Sequence, residues 1–162
     1  MKKSALLPWI LTALRLACGF LFLYASLDKL GNAEKFLGVV KEYHLLPSLY
    51  APLAAVVIPW LEFFTGLCLV LGFRFRGAAL VYCALLVCYS LGLAVNLMNG
   101  VSMNCGCFSM DSTDKVTWLT VLRDLFFFAL GFPLLLKTET ALDLDSFLTP
   151  ARKSESKASR RR

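Results

Sequence analysis

Apolar residues run through the chain in four long stretches that polar or charged segments separate. The stretches cover Ser4–Leu27, Leu53–Phe73, Gly77–Met98 and Val116–Leu136. An α-helix needs about 20 mostly apolar residues to cross roughly 30 Å of hydrocarbon, and each stretch reaches about that length. Transmembrane strands would instead show ~10-residue segments that alternate between apolar and polar residues. The pattern therefore predicts an all-α protein, a polytopic membrane four-helix bundle.

A shorter pattern lies between the first two stretches. Asn32 is a favourable residue for capping the start of a helix. Phe36, Val39, Val40 and Tyr43 then recur at the spacing that places them on one helical face. This spacing predicts a short amphipathic helix on the outer surface, which serves either as an interfacial anchor or as a lid over the bundle.

The charge distribution predicts how the bundle is oriented. The chain is 58% hydrophobic and 17% charged, with a net charge of +6, whereas soluble domains carry about 25% charged residues. Eleven of the Lys and Arg residues lie at the N-terminus, in the second loop or in the tail, and four lie in the first and third loops. Because basic residues concentrate on the cytoplasmic side, both termini are predicted to be cytoplasmic. The net charge then reflects topology, with membrane lipid and not nucleic acid as the expected partner.

The same patterns predict two regions in the chain. Residues 1–137 form the transmembrane domain, and residues 138–162 form a basic, solvated cytoplasmic tail that ends in three arginines.

Charged residues inside the apolar stretches are candidates for a site, because each costs roughly 2.5–3.5 kcal/mol at the centre of a transmembrane helix. Arg15 and Glu62 each lie about 15 Å into their stretches at the helical rise per residue, which predicts an ion pair near the midplane. Lys29 lies at the outer end of the first stretch, and Arg123 and Asp124 lie in the outer half of the fourth. These five residues form either a polar pocket that opens outward or buried ion pairs that fix the helix register.

The six cysteines divide into two groups. Four lie within apolar stretches, where thiols act as small buried hydrophobes. Cys105 and Cys107 flank Gly106 on the predicted outer side, where disulfides form and persist. A disulfide between Cys105 and Cys107 would close a very small ring, which requires the chain to bend at Gly106. Such a disulfide would be strained, and strained disulfides exchange readily. We predict that Cys105 and Cys107 are catalytic, and we predict no metal site, because zinc would need two further Cys or His ligands nearby.

Several short motifs follow one another in a defined order. They are Arg15–Lys29, Tyr43–Pro47, Pro59–Glu62 followed by Gly66 and Gly72, the N-C-G-C-F run of Asn104–Phe108, and the Arg123-Asp124 pair. In order and spacing, these motifs resemble the MauE/DoxX family of four-helix membrane proteins, in particular its MauE-like branch. The resemblance implies a multi-pass protein of the bacterial inner (plasma) membrane that is associated with extracytoplasmic redox chemistry. The MauE branch implies a link to methylamine utilisation and to the disulfides of an amine dehydrogenase, and DoxX relatives imply a link to quinol oxidation.

Two classes of function follow from the resemblance. The first is a membrane redox protein that supports thiol–disulfide chemistry or electron transfer for an exported partner such as an amine dehydrogenase. In this class the cofactor is unknown, with a quinone left open. The second class is a non-catalytic assembly factor or subunit that anchors an extracytoplasmic redox protein. A transporter is a third, less favoured alternative, and the residues do not decide whether the protein is an enzyme.

The topology generates a first prediction. Reporter fusions after Arg76 and after Arg152 should remain cytoplasmic, because the positively charged loops resist export. A fusion after Met110 should be exported. Reporters that are active on only one side of the membrane show on which side each of the three fusions lies. Export of the Arg152 fusion would contradict the count of four crossings.

Overall fold

The described part of the chain is entirely helical. The computed structural model describes residues 6–42, 47, 49–99 and 117–136, and no strand occurs among them. The helices are α1 (Leu6–Gly31), α2 (Ala33–Glu42), α3 (Ala51–Leu71), α4 (Phe75–Met98) and α5 (Trp118–Leu136). Four of these five, all except α2, are long and apolar enough to cross a membrane. The prediction of an all-α bundle with four candidate spans is confirmed.

The four long helices pack in a ring in which α1 contacts α3, α3 contacts α4, α4 contacts α5, and α5 contacts α1. Helix α2 packs against α3 and α1 at the end of the bundle where α1 ends and α3 begins. We call this the outer end, after the predicted topology, and the opposite end the inner end. Large apolar side chains project outward from the bundle, including Trp9, Phe20, Tyr24, Trp60, Phe64, Leu91, Leu119 and Phe126. An apolar exterior of this kind suits contact with lipid.

Helices α1 and α3 approach most closely at two glycines. A Cβ atom added to Gly66 would lie 2.9 Å from the carbonyl oxygen of Gly19, and one added to Gly19 would lie 3.0 Å from the carbonyl oxygen of Gly66. Real Cβ atoms essentially never lie within 3.0 Å of another heavy atom, so a side chain at Gly66 requires a shift of the backbone. A Cβ atom at Gly19 would also lie 2.7 Å from Cγ2 of Val70, so a side chain there requires at least a shift of Val70. Small residues permit such close packing between membrane helices, where apolar burial alone supplies little attraction.

A second pair of contacts joins α4 to α5. The Tyr82 hydroxyl donates a hydrogen bond of 3.2 Å to the carbonyl oxygen of Phe127, and the Tyr82 ring occupies the space beside Gly131. Nearer the inner end, an Arg76 guanidinium nitrogen donates to the carbonyl oxygen of Leu135 at 3.3 Å. The bond to Leu135 satisfies a backbone oxygen in the last turn of α5, where a helix has no partner of its own for its carbonyl groups.

The short amphipathic helix is also confirmed over Ala33–Glu42. Phe36 is buried against the bundle, whereas Lys35 and Lys41 are exposed. Asn32 lies at the junction with α1, and its carbonyl oxygen accepts the first hydrogen bond of α2 from the Phe36 amide at 3.0 Å. Tyr43, the last position of the predicted apolar face, lies outside the described residues. The burial of Phe36 makes α2 a cover of the outer end as well as a surface helix.

The glycine contact generates a second prediction. Gly66→Ala should lower the midpoint of thermal unfolding in detergent, because overpacking of a tight contact typically costs about 1–3 kcal/mol. Gly77→Ala is the matched control, since a Cβ atom at Gly77 meets nothing within 4 Å and alanine favours a helix over glycine by about 1 kcal/mol. Equal midpoints for the two variants would contradict the close approach of α1 and α3.

Candidate functional site

The last turn of α1 and the middle of α3 are joined by a buried ion pair. Lys29 is 3% exposed and Glu62 is 1% exposed. The Lys29 Nζ atom donates to both carboxylate oxygens of Glu62, at 2.6 Å to Oε1 and 2.7 Å to Oε2. Because Lys29 bonds to both carboxylate oxygens of Glu62, each of the two buried charges is compensated by the other.

Side chains from two further helices complete this arrangement. Tyr89 of α4 donates a hydrogen bond from its hydroxyl to Oε1 of Glu62. The Lys29 Nζ atom lies 5.0 Å from the centroid of the Tyr89 ring and 5.6 Å from that of Phe36 in α2, distances at which a cation is attracted to a ring face. We call Lys29, Phe36, Glu62 and Tyr89 the Lys29 cluster. It links four helices in the outer half of the bundle.

A second ion pair lies on α5. The Arg123 Nη2 atom is 3.1 Å from Oδ1 of Asp124. Asp124 is 1% exposed, and its other oxygen, Oδ2, has no hydrogen-bond partner in the described part of the chain. Asp124 is also attracted electrostatically to Lys29. The positive charge of Lys29 therefore acts on both buried carboxylates, although its hydrogen bonds go to Glu62.

The structure brings together four of the five charged residues that the sequence singled out, as two pairs. The predicted pair of Arg15 with Glu62 is wrong. Arg15 lies instead at the inner end of α3, where its guanidinium group surrounds the site at which a Cβ atom of Gly72 would stand, and its Cζ atom is 6.0 Å from the ring of Phe75. Glu62 precedes Gly72 by ten residues, which is about 15 Å along a helix.

The reason for this difference is the register of α1 against α3. Helix α1 has 26 residues and α3 has 21, and the contact at Gly19 and Gly66 makes the start of α1 extend beyond the end of α3. Arg15 is therefore level with the turn after α3. There the cation lies near the partial negative charge of a helix C-terminus, which is a favourable position.

An apolar layer separates the two charged regions. It is formed by core residues of all four long helices, among them Cys18, Phe22, Leu69, Tyr82, Leu86 and Leu134. The rings of Phe22 and Tyr82 have centroids 4.4 Å apart. The apolar layer consequently separates the polar site of the Lys29 cluster from Arg15.

The predicted catalytic residues Cys105 and Cys107 lie outside the described residues. They belong to the segment that joins the outer end of α4 to the start of α5, the end of the bundle that holds the Lys29 cluster. Within the described helices, Cys18, Cys68, Cys83 and Cys88 are free thiols. Those helices contain no group of three His, Cys, Asp or Glu side chains that could hold a metal ion.

Sequence reasoning did not identify Phe36 and Tyr89 as members of the site. Phe36 stood out only as part of an amphipathic face, and Tyr89 lies within an apolar stretch that has other aromatic residues. Tyr89 lies level with Lys29 because of the way α1 and α4 pack. Phe22 and Tyr82, each seven residues earlier on its helix, already lie ring against ring.

Residues 7–137 match the family model described as "Methylamine utilisation protein MauE". The chain belongs to the MauE family. Methylamine utilization protein MauE of Paracoccus denitrificans is 38% identical over 125 residues, which cover 76% of this chain and 67% of the relative. The protein of the same name from Methylorubrum extorquens is 34% identical over 118 residues, 72% of this chain and 63% of the relative. That from Methylophilus methylotrophus is 35% identical over 103 residues, 62% of this chain and 54% of the relative.

These relatives are longer proteins, of which this MauE-family chain spans between 54% and 67%. No solved structure matches the chain. The family is one of methylamine utilisation, and its matched region includes every described helix almost completely.

The ion pair generates a third prediction. Glu62→Gln should lower the free energy of unfolding by about 3–5 kcal/mol, because it leaves Lys29 as an uncompensated buried charge. Combining Glu62→Gln with Lys29→Met should recover part of this loss. Unfolding in detergent, followed by circular dichroism, measures the two single variants and the double variant.

Arg15→Met combined with Glu62→Gln is the matched control. Arg15 and Glu62 lie at different levels of the bundle, about 15 Å apart along α3, so their effects should add within about 0.5 kcal/mol. Recovery with Arg15→Met and not with Lys29→Met would show that the observed pairing is incorrect.

Proposed function

We propose that this MauE-family protein is a membrane redox protein that supports thiol–disulfide chemistry on the extracytoplasmic side. The observation that carries the proposal is the position of the Lys29 cluster. It is a buried polar site in the outer half of the bundle, and an apolar layer separates it from the inner end. The segment with Cys105 and Cys107 connects two helices at this same end. A polar site closed toward the inner end suits chemistry with an exported partner better than transport.

The proposed reaction is a disulfide exchange. A thiolate of the exported partner attacks one sulfur of a Cys105–Cys107 disulfide and forms a mixed disulfide. A second thiolate of the partner then displaces this sulfur, so the partner gains a disulfide and Cys105 and Cys107 become thiols. The Cys105–Cys107 disulfide would form again if the two thiols passed two electrons and two protons to an oxidant in the membrane, for which a quinone would serve.

The relatives suggest what the partner is. Their names connect them with methylamine utilisation, and an exported amine dehydrogenase that contains disulfides would need such an activity. We therefore propose an exported dehydrogenase of this kind as the substrate protein, and the bacterial inner membrane as the location.

A second candidate function is a non-catalytic assembly factor that holds the exported redox protein at the membrane. It is favoured by α2, which covers the outer end with an exposed polar face that includes Lys35 and Lys41. Such a surface can bind a partner without any redox step. The two candidates differ in whether Cys105 and Cys107 are needed.

The cysteines generate a fourth prediction. Cys105→Ser or Cys107→Ser should trap a covalent complex with an exported protein. The remaining thiolate attacks a disulfide of the oxidised partner, in the reverse of the exchange, and releases one partner thiolate, while the neighbouring cysteine that would displace the partner from the mixed disulfide is absent. The complex should appear on a non-reducing gel and disappear with reductant. The two variants should trap unequal amounts, since the partner attacks one of the two sulfurs.

Cys88→Ser is the matched control. Cys88 is an exposed thiol on α4 within a candidate span, and its removal should trap nothing. If neither loop variant traps a partner, and the double variant at Cys105 and Cys107 still supports maturation of the dehydrogenase, the assembly function replaces the redox function.

A further inference from the structure

The turn between α3 and α4 presents two arginines at the surface of the inner end. The turn consists of residues 72–74, and the side chains of Arg74 and Arg76 are both exposed. The backbone is left-handed at Gly72, with φ of 70°, and at Arg74, with φ of 42°. Residues with a side chain rarely adopt this conformation. It allows α4 to begin directly after the turn, with Arg74 immediately before its first residue.

Three of the candidate spans end at the level of this turn. Helix α3 ends at Leu71 and α4 begins at Phe75. The Nη2 atom of Arg76 donates to the carbonyl oxygen of Leu135 at 3.3 Å, which places the last turn of α5 beside the first turn of α4. A chain that leaves the helical conformation needs polar partners for its backbone, which lipid tails lack. Arg74 and Arg76 therefore lie at the depth of the lipid headgroups.

The negative end of α3 is compensated inside the protein. The amides of Gly72 and Phe73 donate to carbonyl oxygens in the last turn of α3, at 3.3 Å and 3.1 Å. The guanidinium group of Arg15 lies buried against Gly72. The start of α4 has no side-chain cap from Arg74, and the start of a helix is the positive end of its dipole. The electrostatic potential at the surface of the turn is consequently positive.

The acidic side chains that the structure describes lie away from this turn. They belong to α2, to the outer end of α1, or to the ion pairs of Lys29 and Arg123. A guanidinium group has five N–H donors, and the bond from Arg76 to Leu135 uses one of them. The turn thus offers positive charge together with hydrogen-bond donors, and the ligand that it attracts is an anion.

The neighbouring side chains indicate what kind of anion this is. Guanidinium groups suit phosphate, because their planar N–H donors match two of its oxygens at once. Leu71 and Phe73, on either side of Gly72, are exposed apolar side chains. A phospholipid supplies a phosphate for the arginines and acyl chains for these two side chains. Its headgroup should carry a net negative charge, because the ammonium group of a zwitterionic headgroup is repelled by the same arginines.

We propose that Arg74 and Arg76 bind the headgroup phosphate of an anionic phospholipid at the inner end of the bundle, with the acyl chains along Leu71 and Phe73. Through Arg76 and its bond to Leu135, the bound lipid connects the α3–α4 turn with the end of α5. This lipid site goes beyond the proposed redox function. The apolar layer separates it from the Lys29 cluster, and its role is to hold the inner end of the bundle at a fixed depth in the membrane.

The test is a competition between two lipids for the purified full chain in detergent micelles. Phosphatidylglycerol and phosphatidylcholine are added in equal amounts, and native mass spectrometry measures which lipid remains bound. The wild type should retain phosphatidylglycerol preferentially. Arg74→Gln and Arg76→Gln should each lower this preference about fivefold, because one basic side chain near an anionic lipid contributes about 1 kcal/mol. The double variant should bind the two lipids about equally.

Lys35→Gln combined with Lys41→Gln is the matched control. It removes the same charge from exposed positions on α2, at the other end of the bundle, and should leave the preference unchanged. Arg74→Lys combined with Arg76→Lys keeps the charge and should retain part of the preference. A wild type that binds both lipids equally, or a preference that survives the double glutamine variant, would overturn the site. An equal loss in the α2 variant would also overturn it, since the preference would then depend on net charge alone.

Two measurements on the wild type keep the outcome independent of how the variants fold. A phosphatidylglycerol with a photoreactive headgroup should label peptides that contain Arg74, Arg76 or the end of α5. Labelling confined to α2 and the outer ends of the helices would contradict the site. An excess of glycerol 3-phosphate should leave the bound lipid in place, because it lacks acyl chains for Leu71 and Phe73. Displacement by this soluble phosphoester would show a general phosphate site and overturn the assignment to lipid.

Discussion

The close approach of α1 and α3 at Gly19 and Gly66 is the contact on which the remaining structure depends. It brings two backbones together where no side chain fits, and it thereby fixes how far one helix is shifted along the other. In this register Lys29 faces Glu62 near the outer end, and Arg15 faces the turn at Gly72 near the inner end. A shift of one helical turn, about 5.4 Å, would separate a Lys29–Glu62 pair whose atoms are 2.6 Å apart. Tyr89 and Phe36 then join a pair that this register has already formed.

The fold was predictable because its main signal is local, whereas the site was predictable only in part. Apolar length and amphipathic spacing are properties of one segment, and they predicted the four candidate spans and α2 to within a few residues. The cost of burying charge also identified Lys29, Glu62, Arg123 and Asp124. Which charges pair depends on the shift between helices, which counting from the predicted ends of Ser4–Leu27 and Leu53–Phe73 could not reveal. Nothing in the sequence indicated that Tyr89 belongs to the site, because a tyrosine among apolar residues is equally suited to the lipid interface.

The distribution of charge gives the bundle two different ends. Among the described residues, the acidic side chains are those of Asp28, Glu34, Glu42, Glu62 and Asp124. They belong to α2, to the outer end of α1, or to the two ion pairs. The inner end carries Arg15, Arg74 and Arg76, and the apolar layer around Phe22 and Tyr82 lies between the two regions. Charged groups are costly to move through such a layer, so the layer separates the polar site from the charged residues of the inner end.

The two ion pairs differ in what they leave available. Glu62 accepts hydrogen bonds from Lys29 and from Tyr89, so both of its oxygens serve to hold α1, α3 and α4 together. Asp124 is bonded through Oδ1 to Arg123, its neighbour in sequence, and this bond joins no second helix. Its remaining oxygen is buried without a hydrogen-bond partner in the described part of the chain, and Lys29, which attracts the Asp124 carboxyl group, already bonds to Glu62. The hydrogen bonds of Asp124 therefore contribute less to holding the helices together than those of Glu62. Glu62 is therefore the carboxylate that fixes the packing of the helices, whereas Asp124 keeps one buried oxygen without a hydrogen bond in the described part of the chain.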